Sequence, residues 1–179
     1  VTSTTSAVSG KDISYSTCAH DGDCTMATFS DLVTDAWYHD GIHYVLDNGI
    51  MHGEDTGKFE PDSKTNRAMI ATILWNLEGN PTADYAIEYS DMTQYQWYTD
   101  CVRWVSSMNI MQGDSEGTFR AEGSITREEL ATVLYRYAQL KGKGFTGAWA
   151  FPLSYPDGSN VSSWAYEAMC WMTMNGTLC

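Results

Sequence analysis

The sequence has few basic residues and no long apolar run. Its 179 residues include 10 lysines and arginines against 23 aspartates and glutamates, a formal net charge of -13. Such a chain is not expected to bind nucleic acid or anionic lipid through a basic face. Every apolar stretch falls short of the roughly 20 residues that span a membrane. With 43% hydrophobic residues, the chain is long enough for one core or for an array of three small units.

Catalytic motifs are also absent. The sequence has no His-Glu-x-x-His, no Gly-x-Ser-x-Gly and no phosphate-binding Gly-Lys-Ser/Thr. Acids are numerous, so a pair of carboxylates for glycoside hydrolysis stays open as an alternative. Because the repeated acids fall at turns and helix starts, we expect a noncatalytic protein without a cofactor. No signal peptide is recognisable and the chain begins at Val1, which we interpret as a mature protein or an excised fragment.

The cysteines are five, an odd count. Cys18 and Cys24 lie close together in a segment rich in glycine and aspartate, and they could form a disulfide in an exported protein. A zinc site is the weaker alternative, because no second pair follows at ligand spacing and we do not count His20 between them as a ligand. Cys101 and Cys170 lie on helical patterns, which predicts that they are buried as small apolar residues.

The chain repeats itself, without a gap, at a spacing of sixty residues, so that residues 29–78 align with residues 89–138. Such an internal repeat separates the residues that the unit needs from those that drifted. The recurring pairs include Asp31 and Asp91, Trp37 and Trp97, Gly53 and Gly113, Gly57 and Gly117, Phe59 and Phe119, and Arg67 and Arg127.

Composition and repeat together predict five regions along the chain. These are an extended arm or linker at 1–27, a first repeat at 28–80, a second repeat at 81–140, a linker at 141–154 and a partial third repeat at 155–179. The third unit matches only the first half of a repeat, through Asp157, Trp164, Ala168, Trp171 and Gly176. It lacks the glycine loop, the arginine and the second helix.

Each complete repeat predicts a helix, a structured loop and a second helix. The first helix would span 37–48 and 97–108, with inward stripes of Trp37, Gly41, Tyr44, Val45 and Asn48, and of Trp97, Cys101, Trp104, Val105 and Met108. The loop glycines fit a tight turn that needs positive φ, and Phe59 and Phe119 then return an apolar group to the core.

The second helix has the clearer pattern. Apolar residues recur at i, i+3, i+4 and i+7 in both repeats, as Ile70, Ile73, Leu74 and Leu77 and as Leu130, Val133, Leu134 and Tyr137. Thr126 with Glu129 forms a capping box, and Asn66 can cap the earlier helix. Because neither helix of a repeat can bury its stripe alone, we expect the units to pack on one another.

The ordered motifs resemble the S-layer homology (SLH) repeat of bacterial cell-surface proteins. They are aromatic-x-Asp, a tryptophan, a Gly-Ile helix end, a glycine loop with Phe, and a Thr-Arg-Ala-Glu start of the second helix. In this chain the last motif reads Asn66-Arg67-Ala68 and Thr126-Arg127-Glu128-Glu129. The resemblance covers residues 29–140 and, in part, 155–179.

This resemblance implies a mainly α-helical fold of tandem helix–loop–helix repeats in a pseudo-threefold spindle, here with an incomplete third repeat. It also implies an extracellular module at the bacterial cell wall. There the module would bind an anionic, often pyruvylated, secondary cell-wall polysaccharide without covalent attachment, in grooves between the repeats.

The resemblance assigns the acidic sugar to Arg67 and Arg127, since guanidinium is permanently charged and offers a planar donor fork to a carboxylate. Alternatively, each arginine pairs with a neighbouring acid. The repeat has no arginine in its third copy, so at most two of three grooves would have the cation. The remaining candidate glycan contacts are Trp37, Trp97, Gly53 and Gly113; both tryptophans, like Trp164, could instead pack in the core.

Other repeated or clustered polar residues have simpler interpretations. Asp31, Asp91 and Asp157 precede first helices, which favours helix caps or turns over ligands. His39 and His43 are four residues apart and could form a metal pair. Because the second repeat has Thr99 and Arg103 at those positions, we expect exposed or partly buried histidines and no metal site.

The leading hypothesis is therefore a noncatalytic anchoring module for an acidic cell-wall glycan. The alternative is a protein-interaction or assembly module, whose incomplete third repeat is completed by another chain in a homo-oligomer or which engages a partner or host protein. A hydrolase is the third hypothesis.

Overall fold

A computed structural model describes residues 18–19, 23–54, 56–146 and 151–178, and they form a mainly α-helical protein. The described helices are α1 (His39–Asp47), α2 (Arg67–Leu77), α3 (Thr99–Ser107), α4 (Arg127–Leu140) and α5 (Tyr166–Met174). Short 3-10 turns occur at Thr25–Thr28 and Gly158–Asn160. Extended pairing in the described part is limited to isolated bridges. The predicted helix–loop–helix class is confirmed, and none of the described helices is long and apolar enough to cross a membrane.

The second helices begin where the capping residues predict. At α4, the Glu129 amide donates to Thr126 Oγ1 at 3.2 Å and the Thr126 amide donates to Glu129 Oε2 at 2.9 Å, which completes the capping box. At α2, the Met69 amide donates to Asn66 Oδ1 at 2.8 Å. These bonds satisfy amides that the first helical turn leaves without intrahelical partners. Both predicted caps are therefore confirmed.

The first helices begin two residues later than the predicted 37–48 and 97–108. Trp37 and Trp97 consequently lie in the preceding turns, and the predicted stripes that started from them are wrong at that end. The buried face of α1 also differs from the predicted one. It consists of His39, Ile42 and His43, so the prediction of exposed or partly buried histidines is wrong for this pair.

The equivalent face of α3 agrees better with the sequence pattern. Cys101, Trp104 and Val105 are buried as predicted, and Val102 joins them. Together with Phe119, which is fully buried, they belong to the largest hydrophobic cluster of the protein. The return of Phe119 to the core is therefore confirmed.

Helices from adjacent repeats pack on each other. The second helix of repeat one, α2, packs on the first helix of repeat two, α3, and α4 packs in the same way on α5 of the third unit. In contrast, α1 packs on the short turn Thr25–Thr28, with Met26 fully buried beside Ile42. The expectation that the units depend on one another for burial is confirmed.

The repeated aspartates fasten the glycine loop of their own repeat. Asp31 accepts hydrogen bonds from the amides of Phe59 and Glu60 at 2.9 and 2.8 Å, and the Phe59 amide is the main cause of a lowered Asp31 pKa. Asp91 likewise accepts from the amides of Phe119 and Arg120 at 2.8 and 2.7 Å. Both residues lie in turns, which is one of their two predicted roles, but neither caps a helix, because their oxygens accept from amides 28 or 29 residues further along the chain.

Two kinds of glycine shape each loop. Gly57 and Gly117 have φ of 74° and 73°, which confirms the predicted positive φ. Gly53 and Gly113 instead allow a close approach. A Cβ at Gly53 would lie 2.0 Å from Phe29 Cε1, and one at Gly113 would lie 2.6 Å from both Tyr89 Cε1 and the Thr118 carbonyl oxygen.

Replacement of Gly113 by alanine is expected to lower the free energy of unfolding by about 3 kcal/mol, because the backbone carbonyl opposite cannot move away from the new methyl group. Gly41→Ala is the matched control, because nothing lies within 4 Å of the Cβ position of Gly41 in α1. This change should raise the free energy of unfolding by about 0.5–1 kcal/mol. Urea denaturation of both variants measures this. Equal stability of the two would contradict the close-approach explanation.

Candidate functional site

Arg67, at the start of α2, is buried against the loop of the second repeat. Its side chain is only 6% exposed. Its Nε donates to the Phe119 carbonyl oxygen at 2.8 Å and its Nη2 to the Gln112 carbonyl oxygen at 2.7 Å, and Cζ lies 4.9 Å from the centre of the Phe119 ring. Burial lowers the pKa of Arg67, but guanidinium still stays charged at neutral pH. Arg67 therefore links repeat one to repeat two.

Carboxylates surround this buried cation without contacting it. These carboxylates pair with Arg120, whose Nη2 donates to Glu129 Oε1 at 2.9 Å and whose Nε lies 3.7 Å from Asp114 Oδ2. The charge of Glu129 partly offsets the effect of burial on the Arg67 pKa. Backbone carbonyls, not an acid, thus accept the hydrogen bonds of Arg67, contrary to the alternative of a simple ion pair.

Arg127, at the start of α4, has different surroundings although it occupies the equivalent position. It is exposed, and among the described residues none accepts a hydrogen bond from its guanidinium. It lines an open groove of about 280 Å³ between the start of α4 and the third unit. We call this cavity the Arg127 groove; its walls are Thr126, Arg127, Glu128, Tyr155, Asp157, Asn160, Val161, Met169 and Leu178.

The walls of the Arg127 groove are held together by hydrogen bonds. The Glu128 carboxylate accepts from both the amide and the hydroxyl of Ser162, each at 3.0 Å. The Tyr155 hydroxyl contacts Thr173 Oγ1 at 3.2 Å and donates to the Leu178 carbonyl at 3.1 Å. The groove thus combines one guanidinium with the carboxylates of Glu128 and Asp157, hydroxyl and amide groups, and the apolar side chains of Val161, Met169 and Leu178. Arg127 is the wall group that can bind a carboxylate of a ligand.

Sequence reasoning did not single out Tyr155 or Asn160 as wall residues. The signal was present for Tyr155, because Tyr155-Pro156-Asp157 is the aromatic-x-Asp motif of the third unit. In repeat two the Tyr89 hydroxyl lies 3.1 Å from Ser106 Oγ on the following helix, as Tyr155 does with Thr173. Asp157 also lines the groove. It lies in a turn, which is one of its two predicted roles, and its side chain does not cap the 3-10 turn that follows.

The matched tryptophans are exposed rather than packed in the core. Trp37 is 95% exposed, Trp97 60% and Trp164 56%. The rings of Trp37 and Trp97 each lie roughly perpendicular to the ring of the tyrosine that follows, with ring centres 5.7 and 5.2 Å apart. Core packing is therefore wrong for these three side chains, and none lines the Arg127 groove. Contact between a sugar and Trp37 or Trp97 stays a prediction.

The remaining predicted site residues are two glycines and the cysteines. Gly53 and Gly113 lie beneath aromatic rings, so their recurrence has a packing reason, and a glycan contact there stays a prediction. Cys101 and Cys170 are buried as predicted, which raises the pKa of both thiols. Cys18 and Cys24 are present as thiols, and their disulfide also stays a prediction. His20 lies outside the described residues.

Comparison with known proteins identifies the repeat. The profile of the S-layer homology domain matches residues 28–68 and 88–131. The S-layer protein sap of Bacillus anthracis is 32% identical over 117 residues, 65% of this chain and 14% of that protein. The surface-layer 125 kDa protein of Lysinibacillus sphaericus is 28% identical over 140 residues, 78% of this chain and 11% of that protein. A cellulosome-anchoring protein of Acetivibrio thermocellus is 31% identical over 98 residues, 52% of this chain and 22% of that protein.

The chain thus spans between about a tenth and a quarter of the length of these relatives. The matched region contains the two loops closed by Asp31 and Asp91, and the starts of α2 and α4. Through these two repeats the chain belongs to the S-layer homology family of cell-surface anchoring modules.

Proposed function

We propose that the protein is a noncatalytic anchoring module that binds an anionic, pyruvylated secondary cell-wall polysaccharide, with the Arg127 groove as its binding site. S-layer homology domains are binding modules of cell-wall-associated surface proteins, and the sequence has none of the catalytic motifs considered above.

One observation carries this proposal: the difference between the two arginines. Arg67 already donates to two carbonyl oxygens, whereas the guanidinium of Arg127 is exposed in a cleft. A pyruvyl carboxylate on a sugar would accept two parallel hydrogen bonds from such a group. The wall hydroxyls and amides of Thr126 and Asn160 are suited to the neighbouring sugar hydroxyls. The proposal therefore assigns the glycan contact to Arg127 and a structural role to Arg67.

Replacement of Arg127 by alanine is expected to weaken binding to purified cell walls about ten- to a hundredfold, the equivalent of the 1.5–3 kcal/mol typical of a charge-assisted hydrogen bond. Thermal stability should not change, because the side chain is exposed. Arg136→Ala is the matched control, since it removes the same charge from an exposed position on the same helix. Sedimentation binding assays with both variants measure the effect.

The same assay with walls that have been stripped of pyruvyl groups separates the two parts of the proposal. Wild-type binding should fall to the level of Arg127→Ala, and the variant should lose little more. Unchanged wild-type binding after stripping would contradict the pyruvyl contact. Equal binding by Arg127→Ala and Arg136→Ala would contradict the assignment to this groove.

A second candidate function, protein assembly, is favoured by the exposed apolar side chains of the third unit. Trp164 and Met174 are 56% and 53% exposed, next to or within α5. A second chain that covered them would bury apolar surface and stabilise an oligomer. Measurement of mass in solution distinguishes the two functions. A monomer that binds cell walls supports glycan anchoring, whereas a stable oligomer without wall binding supports assembly.

A further inference from the structure

Two cysteines and two histidines meet where α1 packs on the segment that precedes it. Ligand atoms of Cys18, Cys24 and His43 all lie within 4.8 Å of one another, and Cys24 and His43 are buried. His39, one helical turn before His43, is 3% exposed and places its Nε2 3.5 Å from Cys24 Sγ. We propose that these four side chains form a Zn²⁺ site.

The spacing of the ligand atoms fits this ion. Zinc in proteins binds thiolates at about 2.3 Å and imidazole nitrogens at about 2.0 Å, so that sulfur and nitrogen ligands in a tetrahedron lie about 3.5 Å apart. The distance between Cys24 Sγ and His39 Nε2 already has this value. The ligand atoms of Cys18, Cys24 and His43, which lie within 4.8 Å of one another, need to approach by roughly 1 Å to reach the spacing of a tetrahedron. Two sulfurs with two imidazoles are a donor set that favours zinc over magnesium or calcium.

Both imidazoles are oriented for metal binding by carboxylates. His43 Nδ1 donates to Asp47 Oδ2 at 3.1 Å, and His39 Nδ1 donates to Asp40 Oδ1 at 3.0 Å. Each bond fixes the tautomer in which Nε2 has a lone pair for the metal. Asp47 is itself held, because Thr25 Oγ1, next to Cys24 in the chain, donates to Asp47 Oδ1 at 2.6 Å. The outer contacts of a zinc site are thus already in place.

The second repeat supports this assignment by contrast. At the position of His43 it has Arg103, whose Nη1 donates to Asp100 Oδ1 at 2.6 Å and whose Nε donates to the Tyr85 carbonyl at 3.2 Å. A guanidinium thus joins α3 to the chain before it. Repeat one has no cationic side chain at this place, and the zinc ion would join α1 to the segment from Cys18 to Thr28.

Binding of Zn²⁺ to the two thiols and two imidazoles would leave the site without net charge. Each thiol releases one proton to solvent, and the two thiolates neutralise the dipositive ion, while both imidazoles bind in their neutral form. A Cys18–Cys24 disulfide excludes this site, because its sulfurs are no longer thiolates. Zinc site and disulfide are therefore mutually exclusive states of the same pair.

The test is titration of the reduced, metal-free full chain with Co²⁺ and then Zn²⁺, followed by absorption spectroscopy and native mass spectrometry. We expect one metal ion per chain, with thiolate-to-cobalt charge-transfer bands and the intense d–d bands of a tetrahedral site, both displaced by zinc. Cys24→Ser and His43→Gln should abolish these signals. Asp47→Asn, which keeps all four ligands, should weaken binding about ten- to a hundredfold.

His52→Gln, at an exposed histidine, and Cys170→Ser, at a buried thiol of the third unit, are the matched controls and should bind as the wild type does. Circular dichroism of each variant shows that it is folded. Absence of stoichiometric metal uptake by the folded wild type would overturn the proposal. So would uptake that survives both ligand substitutions.

Discussion

Replacement of Arg67 by alanine is expected to lower the free energy of unfolding by about 3–5 kcal/mol. The guanidinium donates to the carbonyl oxygens of Gln112 and Phe119, and hydrogen bonds from a charged donor contribute about 1.5–3 kcal/mol each. Its removal leaves the buried Phe119 carbonyl without this donor and a cavity beside the Phe119 ring. Equilibrium denaturation in urea, followed by tryptophan fluorescence, measures the loss.

Arg67→Lys should recover only part of this stability, because a single ammonium cannot reproduce the planar fork that reaches two carbonyls. Arg127→Ala is the control at the equivalent position of the next repeat, and its unfolding free energy should equal that of the wild type. If Arg67→Ala and Arg127→Ala were equally stable, the structural role of Arg67 would be wrong.

Replacement of Lys141 by alanine is expected to lower the free energy of unfolding by about 3 kcal/mol or more, because it leaves a buried carboxylate without its cation. Lys141 Nζ lies 2.6 Å from Glu78 Oε1, and the Glu78 side chain is fully buried. The Tyr137 hydroxyl donates to the same oxygen, whereas Glu78 Oε2 has no hydrogen-bond partner in the described part of the chain. This cluster joins the end of α2 to the end of α4. Thermal and urea denaturation measure the effect.

The double variant Glu78→Gln with Lys141→Met provides the control for this ion pair. It removes both charges and fills a similar volume, so it should be far more stable than Lys141→Ala alone. In the wild type, burial and then the Glu78 carboxylate raise the pKa of Tyr137, so its hydroxyl keeps the proton that it donates to Glu78. Equal losses in the single and double variants would show that lost packing, rather than an unpaired buried charge, accounts for the cost.

Local sequence patterns predicted the parts of the fold that depend on local interactions. The capping box of Thr126 and Glu129 and the positive φ of Gly57 and Gly117 involve neighbours in the chain, so their patterns were sufficient. The buried face of α1 was predicted wrongly, although the same count from Trp97 was correct for Cys101, Trp104 and Val105 of α3. Contacts with the segment before α1, including Met26, decide which side of that helix is buried.

The candidate sites likewise depend on contacts between residues that are distant in the sequence, which local patterns do not predict. Arg67 and Arg127 are identical residues at equivalent positions, so a repeat alignment cannot distinguish them. Their surroundings differ because repeat two offers its loop carbonyls to Arg67, while the described third unit offers Arg127 an open cleft. The histidines of α1 were discounted because they do not recur, and a zinc site at Cys18 and Cys24 because no second pair follows at ligand spacing. A site that joins the first repeat to the segment before it has no reason to recur.

α2 packs on α3, and α4 packs on α5. Each packed pair therefore consists of the second helix of one repeat and the first helix of the next. A cut at the boundary between the sequence repeats would separate two helices that share one core. α2, the following loop and α3 cross that boundary and share one core. The unit that is repeated in the sequence is therefore not the unit that packs in the fold.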